Sequence, residues 1–139
     1  MSARFIIAVL LLCGAAAPAF SQAAPARKSI ATAATPAPDD RARQWLVLVD
    51  DKNYAQSWSE AAKAFQTRQK VDAWANDAGA KRAPLGAVAS RGLKSIDLSR
   101  NNICVIHYDT VFARKAAAVE TVTLAFENGG WSVTDYSVE

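Results

Sequence analysis

Two carboxylates near the carboxyl terminus, Glu120 and Asp135, offer the most direct chemistry in this sequence. A carboxylate held in an apolar pocket is desolvated, so its pKa rises and it becomes able to take up and return a proton beside a carbonyl. The plainer role for Glu120 is structural, a sheet-end carboxylate paired with Arg91 or another cation. Asp135 admits the same two roles, either partnering Glu120 at a cavity mouth or packing at the edge of the core. Tyr54, Trp58, Tyr108 and Tyr136 supply flat apolar rings with polar tips, which suit a ligand wall as well as a core. Arg82 and Arg91 flank Pro84-Leu85-Gly86, and their guanidinium forks match an anionic ligand. His107 and Asp109 are the residue types of half a catalytic pair, but no activated nucleophile stands beside them on their strand, which sets hydrolase chemistry aside. One His and two Cys cannot build a zinc finger, and there is no glycine-rich phosphate loop. No metal and no cofactor are therefore expected.

The amino terminus reads as an export signal. Arg4 gives a positive start, Phe5 to Leu12 is an unbroken apolar run, and small residues continue to Ser21-Gln22. Gly14 and Pro18 interrupt the run before it reaches the roughly 20 residues that a membrane-spanning helix needs. Residues 1–21 are accordingly assigned to a signal peptide cut after Ser21 or after Ala23, and the mature protein to the periplasm or the exterior, with no membrane anchor. Leu12 stands before Cys13 where a lipidated cysteine wants a small residue, so Cys13 leaves with the signal. Cys104 then remains without a disulfide partner, a buried and inert thiol. Cleavage removes only Arg4 among the charged residues, so the formal charge of +3 falls by one. The remaining basic residues are scattered among Asp and Glu, which speaks against a nucleic-acid surface.

With 139 residues, 51% of them hydrophobic, the chain can bury one core. Residues 22–38 are Ala, Pro and Thr with a few charges and form a linker without secondary structure. A single domain over 39–139 follows. Three helices are expected first. Asp39 or Asp40 caps a helix with apolar Ala42, Trp45, Leu46 and Val49. Asn53, with Gln56 three residues on, opens a second that runs through Trp58 to Phe65, and Thr67 caps a third carrying Val71, Trp74 and Ala78. Beyond Pro84-Leu85-Gly86 the period changes to alternation, and four strands follow at about Val88–Leu98, Ile103–Phe112, Ala118–Glu127 and Gly130–Val138, the first bulged near Gly92.

Asn128-Gly129 is a two-residue hairpin turn, which fixes a register. Phe126 faces Trp131, Leu124 faces Val133, Val122 faces Asp135 and Glu120 faces Ser137. Pairing Phe112 with Ala118 brings Phe112, Thr110, Tyr108, Ile106 and Cys104 to the same face, the one that the helices should cover. His107, Asp109, Thr121, Thr123 and Thr134 fall on the wetter face. This register puts Asp135 inside and Tyr136 outside, whereas a three-residue loop through Gly130 turns Tyr136 inward.

Several stretches together resemble the bacterial secreted family of domains of unknown function, DUF4019. They are Trp45 to Asp50 (WLVLVD), Tyr54 to Trp58 (YAQSW), Trp74, Arg82 to Arg91 (RAPLGAVASR), Tyr108 to Phe112 (YDTVF), Glu120 to Thr123 (ETVT) and Gly130 to Tyr136 (GWSVTDY). The resemblance runs from Arg41 to the end. It implies an α+β fold, similar to the cone-shaped group of nuclear transport factor 2 (NTF2), with helices on a curved four-stranded antiparallel sheet around a cavity. It implies no settled activity and supplies no catalytic residues. The leading expectation is a non-catalytic domain that binds a small molecule or a protein partner, with Tyr54, Trp58, Arg91, Tyr108 and Tyr136 as ligand candidates. A small cavity enzyme using Glu120 or Asp135 is the second reading, and a homodimer joined through its open sheet face is the third.

Overall fold

The computed structural model describes residues 34–139. The expected signal peptide and cleavage sites, Cys13 and all but the last few residues of the expected linker lie outside them. Four helices precede four strands: α1 Pro38–Asp50, α2 Tyr54–Ser59, α3 Lys63–Arg68, α4 Val71–Arg82, then β1 Val88–Leu98, β2 Ile103–Phe112, β3 Lys115–Glu127 and β4 Gly130–Val138. The strands form one antiparallel sheet in the order β1-β2-β3-β4, covered on one face by the helices. No described helix is long and apolar enough to cross a membrane.

Four helices stand where three were expected, because one backbone bond interrupts the second. The Ala62 amide donates to the Val133 carbonyl on β4 at 2.8 Å instead of continuing the helical ladder. The side-chain amide of Gln66 then donates to the freed carbonyls of Trp58, Ser59 and Ala61 at 3.2, 3.0 and 3.0 Å. Freed backbone groups at helix ends require partners, and Gln66 supplies them. Thr67 consequently lies inside α3 and not at a cap. At the start of α1, Ala37 is the cap and Pro38 the first helical residue, where its missing N–H costs nothing. Asp39, freed from capping, accepts a hydrogen bond from the Tyr108 hydroxyl at 2.6 Å.

The core lies between α1, α4 and the middle of the sheet. Trp45 is fully buried, with Trp74 and Tyr136 each 5.6 Å away and Phe65 at 6.3 Å between ring centres. Ser57 satisfies both indoles: its carbonyl accepts from Trp45 Nε1 at 2.7 Å and its hydroxyl accepts from Trp74 Nε1 at 2.9 Å. Cys104, Ile106, Tyr108, Thr110 and Phe112 share the covered face as the alternation predicted, and Phe126 opposes Trp131 on that side. The β2–β3 pairing is shifted by two from expectation: Ala118 faces Thr110, and the turn is Ala113-Arg114. A shift of two preserves the side-chain faces, so the covered set was correct although its partners were not. Two bulges interrupt β1, one at Ala89 and one at Lys94, the second two residues from Gly92, near which a bulge was expected.

The β3–β4 register departs from expectation in a way that matters for the site. The turn is the two-residue Asn128-Gly129, and Leu124 faces Val133, but the pairing slips between Leu124 and Thr123. Thr134 is the extra residue, bulged out with its hydroxyl donating to the Thr123 carbonyl at 3.2 Å. An inserted residue reverses every side chain beyond it. Val122 therefore faces Tyr136, Thr123 faces Asp135 and Glu120 faces Val138. Tyr136 is turned into the core and Asp135 out to solvent, the reverse of the expected placement.

Candidate functional site

Six elements bring their side chains to one buried polar knot. Asp50 ends α1, Arg82 ends α4, Arg91 lies on β1, Thr110 on β2, Glu120 on β3 and Tyr136 on β4. Glu120 is fully buried and accepts four hydrogen bonds. Arg82 Nη1 and the Tyr136 hydroxyl reach its Oε1 at 2.6 and 2.7 Å, while Arg91 Nε and the Thr110 hydroxyl reach its Oε2, both at 2.7 Å. The same arginines close on Asp50. Arg91 makes a two-pronged contact to Oδ2 at 2.8 Å and Oδ1 at 3.0 Å, and Arg82 Nη2 also donates to Oδ1. Two carboxylates and two guanidiniums thus form a closed, electrically neutral ring. Burying charges is tolerable only when each is paired and hydrogen-bonded, and no buried side-chain nitrogen or oxygen among the described residues lacks a partner.

The ring also perturbs its neighbours. Burial raises the Tyr136 pKa, and the adjacent Glu120 charge raises it further against the opposing pull of Arg82. Burial likewise raises Tyr108, assisted by its hydrogen bond to Asp39. Desolvation acts against both arginines, yet both are held more firmly charged than usual, Arg82 by Tyr136 together with Glu120 and Asp50 and Arg91 by Asp50 and Glu120. Arg82 additionally stacks its guanidinium 4.8 Å above the Phe112 ring.

A cleft of about 870 Å³ opens beside this ring, lined by Val49 to Lys52, Tyr54, Gly79, Arg82, Ala83, Gly86 to Val88 and Arg114. Asp50 and Arg82 are the ring members that reach it; Glu120, Arg91 and Tyr136 lie behind. Of the ligand candidates read from the sequence, Tyr54 and Arg82 line the cleft, and Trp58, Arg91, Tyr108 and Tyr136 do not. Trp58 donates its indole N–H to the Gln69 carbonyl at 2.7 Å, and Tyr108 is fully buried beneath Arg43. Asp135 does not join Glu120: it is exposed and paired with Arg68 at 3.0 Å. Arg82 and Arg91 do not form a free anion clamp, since carboxylates already occupy their forks. His107 bonds Thr121 at 2.9 Å on the outer face. No cluster of three or more His, Cys, Asp or Glu among the described residues could hold a metal.

Sequence reasoning missed Asp50, Lys52, Gly79 and Arg114. Asp50 follows the last apolar position of the first expected helix, and Arg114 falls within the expected β2–β3 connection, so neither stood out as a site residue. Gly79 gave a visible signal, since a glycine inside a helix costs about 1 kcal/mol relative to alanine and so marks a spatial requirement.

A sheet with one face under helices and a ligand-sized cleft at one end defines the NTF2-like α+β class. A solved structure of an NTF2-like transpeptidase from Campylobacter jejuni superposes with a TM-score of 0.50 at 20% identity, spanning 70% of this chain and 97% of the neighbour. Residues 41–136 match the family model described as protein of unknown function, DUF4019, and the chain belongs to that family. No curated protein matches it.

Proposed function

We propose that this is a non-catalytic binding domain whose small-molecule ligand occupies the 870 Å³ cleft. One observation carries the proposal: the four acceptor positions of Glu120 are filled, and its carboxylate does not reach the cleft. A general base must have a free lone pair within reach of the proton it abstracts. With Asp135 on the opposite, solvated face, neither carboxylate of the enzyme reading supports that reading. The ring instead acts as a stiff floor, tying the ends of α1 and α4 to the sheet so that the cleft keeps its shape in the absence of ligand, which lowers the cost of binding.

Export to the periplasm or the exterior is part of the same proposal, supported by Arg4 and the Phe5–Leu12 run. The homodimer reading keeps one supporting observation, the outer sheet face, where Val105, Thr121 and Thr123 stand half-buried with no described helix over them. Native mass spectrometry of the protein purified from its producing cell tests the binding reading. A retained small molecule that is lost in Gly79→Leu is the expected result. The added Cβ meets only the Tyr54 ring at 3.9 Å, so the substitution fills the cleft without breaking the helix. A retained molecule held equally by Gly79→Leu would overturn the assignment to this cleft.

A further inference from the structure

We infer that the cleft selects an amphiphilic anion, an oxyanion such as a carboxylate or phosphate carried on an apolar body, and that Arg114 is the residue that recognises it. The inference rests on the cleft being the ligand site, and deepens that reading. Five charged residues line the cleft. Asp50 and Arg82 neutralise one another within the ring. Asp51, Lys52 and Arg114 have no ion-pair partner among the described residues, which leaves one positive charge in excess at the rim.

Arg114 differs from an ordinary surface arginine because its position is fixed from three directions. It occupies the two-residue turn between β2 and β3, and its amide donates to the Leu85 carbonyl at 2.9 Å. One guanidinium nitrogen, Nη1, donates to the Ala83 carbonyl at 3.1 Å. Its Cγ lies against Gly86, whose φ of +80° disfavours a side chain and where a Cβ would come within 3.4 Å of that Cγ and 3.2 Å of the Ala113 Cβ, close enough that the neighbours would have to shift. The neighbouring Ala113 amide is bonded to the Ala87 carbonyl at 2.8 Å, so the whole turn is latched onto the 84–87 segment. Among the described residues, the rest of the guanidinium fork has no protein acceptor. A pre-placed fork gives up little entropy on meeting an oxyanion, whereas a free side chain must first be ordered.

The remaining wall fits the rest of such a molecule. Val49, Tyr54, Ala83 and Val88 give an apolar surface, and Gly79 leaves space next to the Tyr54 ring. Lys52, turned into the cleft by its left-handed backbone at φ 60°, adds a second cation. An oxyanion at Arg114 with its body against Tyr54 would satisfy both halves of the lining.

A pair of fluorescent probes with one apolar body separates the claims. 8-Anilinonaphthalene-1-sulfonate carries the oxyanion, and N-phenyl-1-naphthylamine lacks it. The wild type is expected to bind the sulfonate in a 1:1 complex, at least tenfold tighter than the neutral probe. Arg114→Gln, which preserves the backbone bonds of the turn, is expected to weaken the sulfonate about tenfold and leave the neutral probe unchanged. Decanoate and decyl phosphate should displace the sulfonate, and their relative potency identifies the oxyanion, with decanol as the neutral control. Equal binding of the two probes by the wild type, equal effects of Arg114→Gln on both, or displacement by decanol as effective as by the anions would overturn the inference. Gly79→Leu keeps the two readings distinct. If it abolishes both probes while Arg114→Gln discriminates nothing, the cleft stands and anion selection falls. If it affects neither, the cleft assignment falls and takes the inference with it. A wild type that binds neither probe overturns the inference alone, and the retained-ligand measurement then judges the cleft.

Discussion

Replacing Glu120 by Gln removes one negative charge from the buried ring while nearly keeping its shape. The amide oxygen can still accept from one side, for example from Arg82 and Tyr136. The amide nitrogen must then face Arg91 Nε, where a donor meets a donor, and Thr110, whose hydroxyl can turn to accept from it. The Arg91 hydrogen bond to a charged group is lost, worth roughly 1.5–3 kcal/mol, and two guanidiniums are left with Asp50 as their only carboxylate. Breaking a buried ion pair on one side costs about 3–5 kcal/mol by the same logic. For a domain of about 100 residues, 1 kcal/mol shifts the melting temperature by roughly 4–8 °C, so Glu120→Gln should melt at least 12 °C lower. Urea unfolding followed by circular dichroism and tryptophan fluorescence measures the change directly. A loss below about 1 kcal/mol, or a loss that Arg91→Gln in the same chain does not partly absorb, would refute the picture of a closed and mutually dependent ring.

Other outcomes follow from the same coordinates. Tyr108 and Tyr136 are held neutral in the folded state, so above about pH 10 the unfolded chain releases protons that the native one retains. Stability is then complete below pH 10 and falls as the pH rises, at about 1.4 kcal/mol per pH unit for each tyrosine, and tyrosinate absorbance from these two should appear only with unfolding. A thiol reagent at pH 8 should leave native Cys104 untouched, because burial raises its pKa and hides it completely, and labelling should track the unfolded fraction. Asp135→Asn should cost less than about 1 kcal/mol, since its pair with Arg68 is solvent-exposed. The export proposal is tested by N-terminal sequencing of the protein from its producing cell, which should find Gln22 or Ala24 as the first residue.

Much of the fold was legible because it depends on period. The alternation in β2 and the Asn128-Gly129 turn placed Tyr108, Ile106 and Phe126 on one face without reference to anything distant. The misplacements share a physical cause. Gln66 caps carbonyls five to eight positions away, and the amide of Ala62 is drawn to a β4 carbonyl, so the break between α2 and α3 depends on partners that local propensity cannot reveal. The Thr134 bulge is a single inserted residue with no glycine to mark it, yet it exchanged the places of Asp135 and Tyr136 and with them the apparent site. Glu120 was found because it is an acidic residue among apolar ones on the face that the helices cover. Its partners were only half found, since Arg91 was named while Asp50 and Arg82 lie at helix ends whose convergence no local pattern records.

Amide chemical-shift mapping of the labelled protein with 8-anilinonaphthalene-1-sulfonate tests most directly where a ligand sits. Binding in the cleft should move the resonances of Val49 to Tyr54, Gly79, Ala83, Val88 and Arg114 and leave those of Val105, His107, Thr121 and Thr123 in place. Shifts concentrated on that outer strand face, with Gly79 and Arg114 unmoved, would contradict the account.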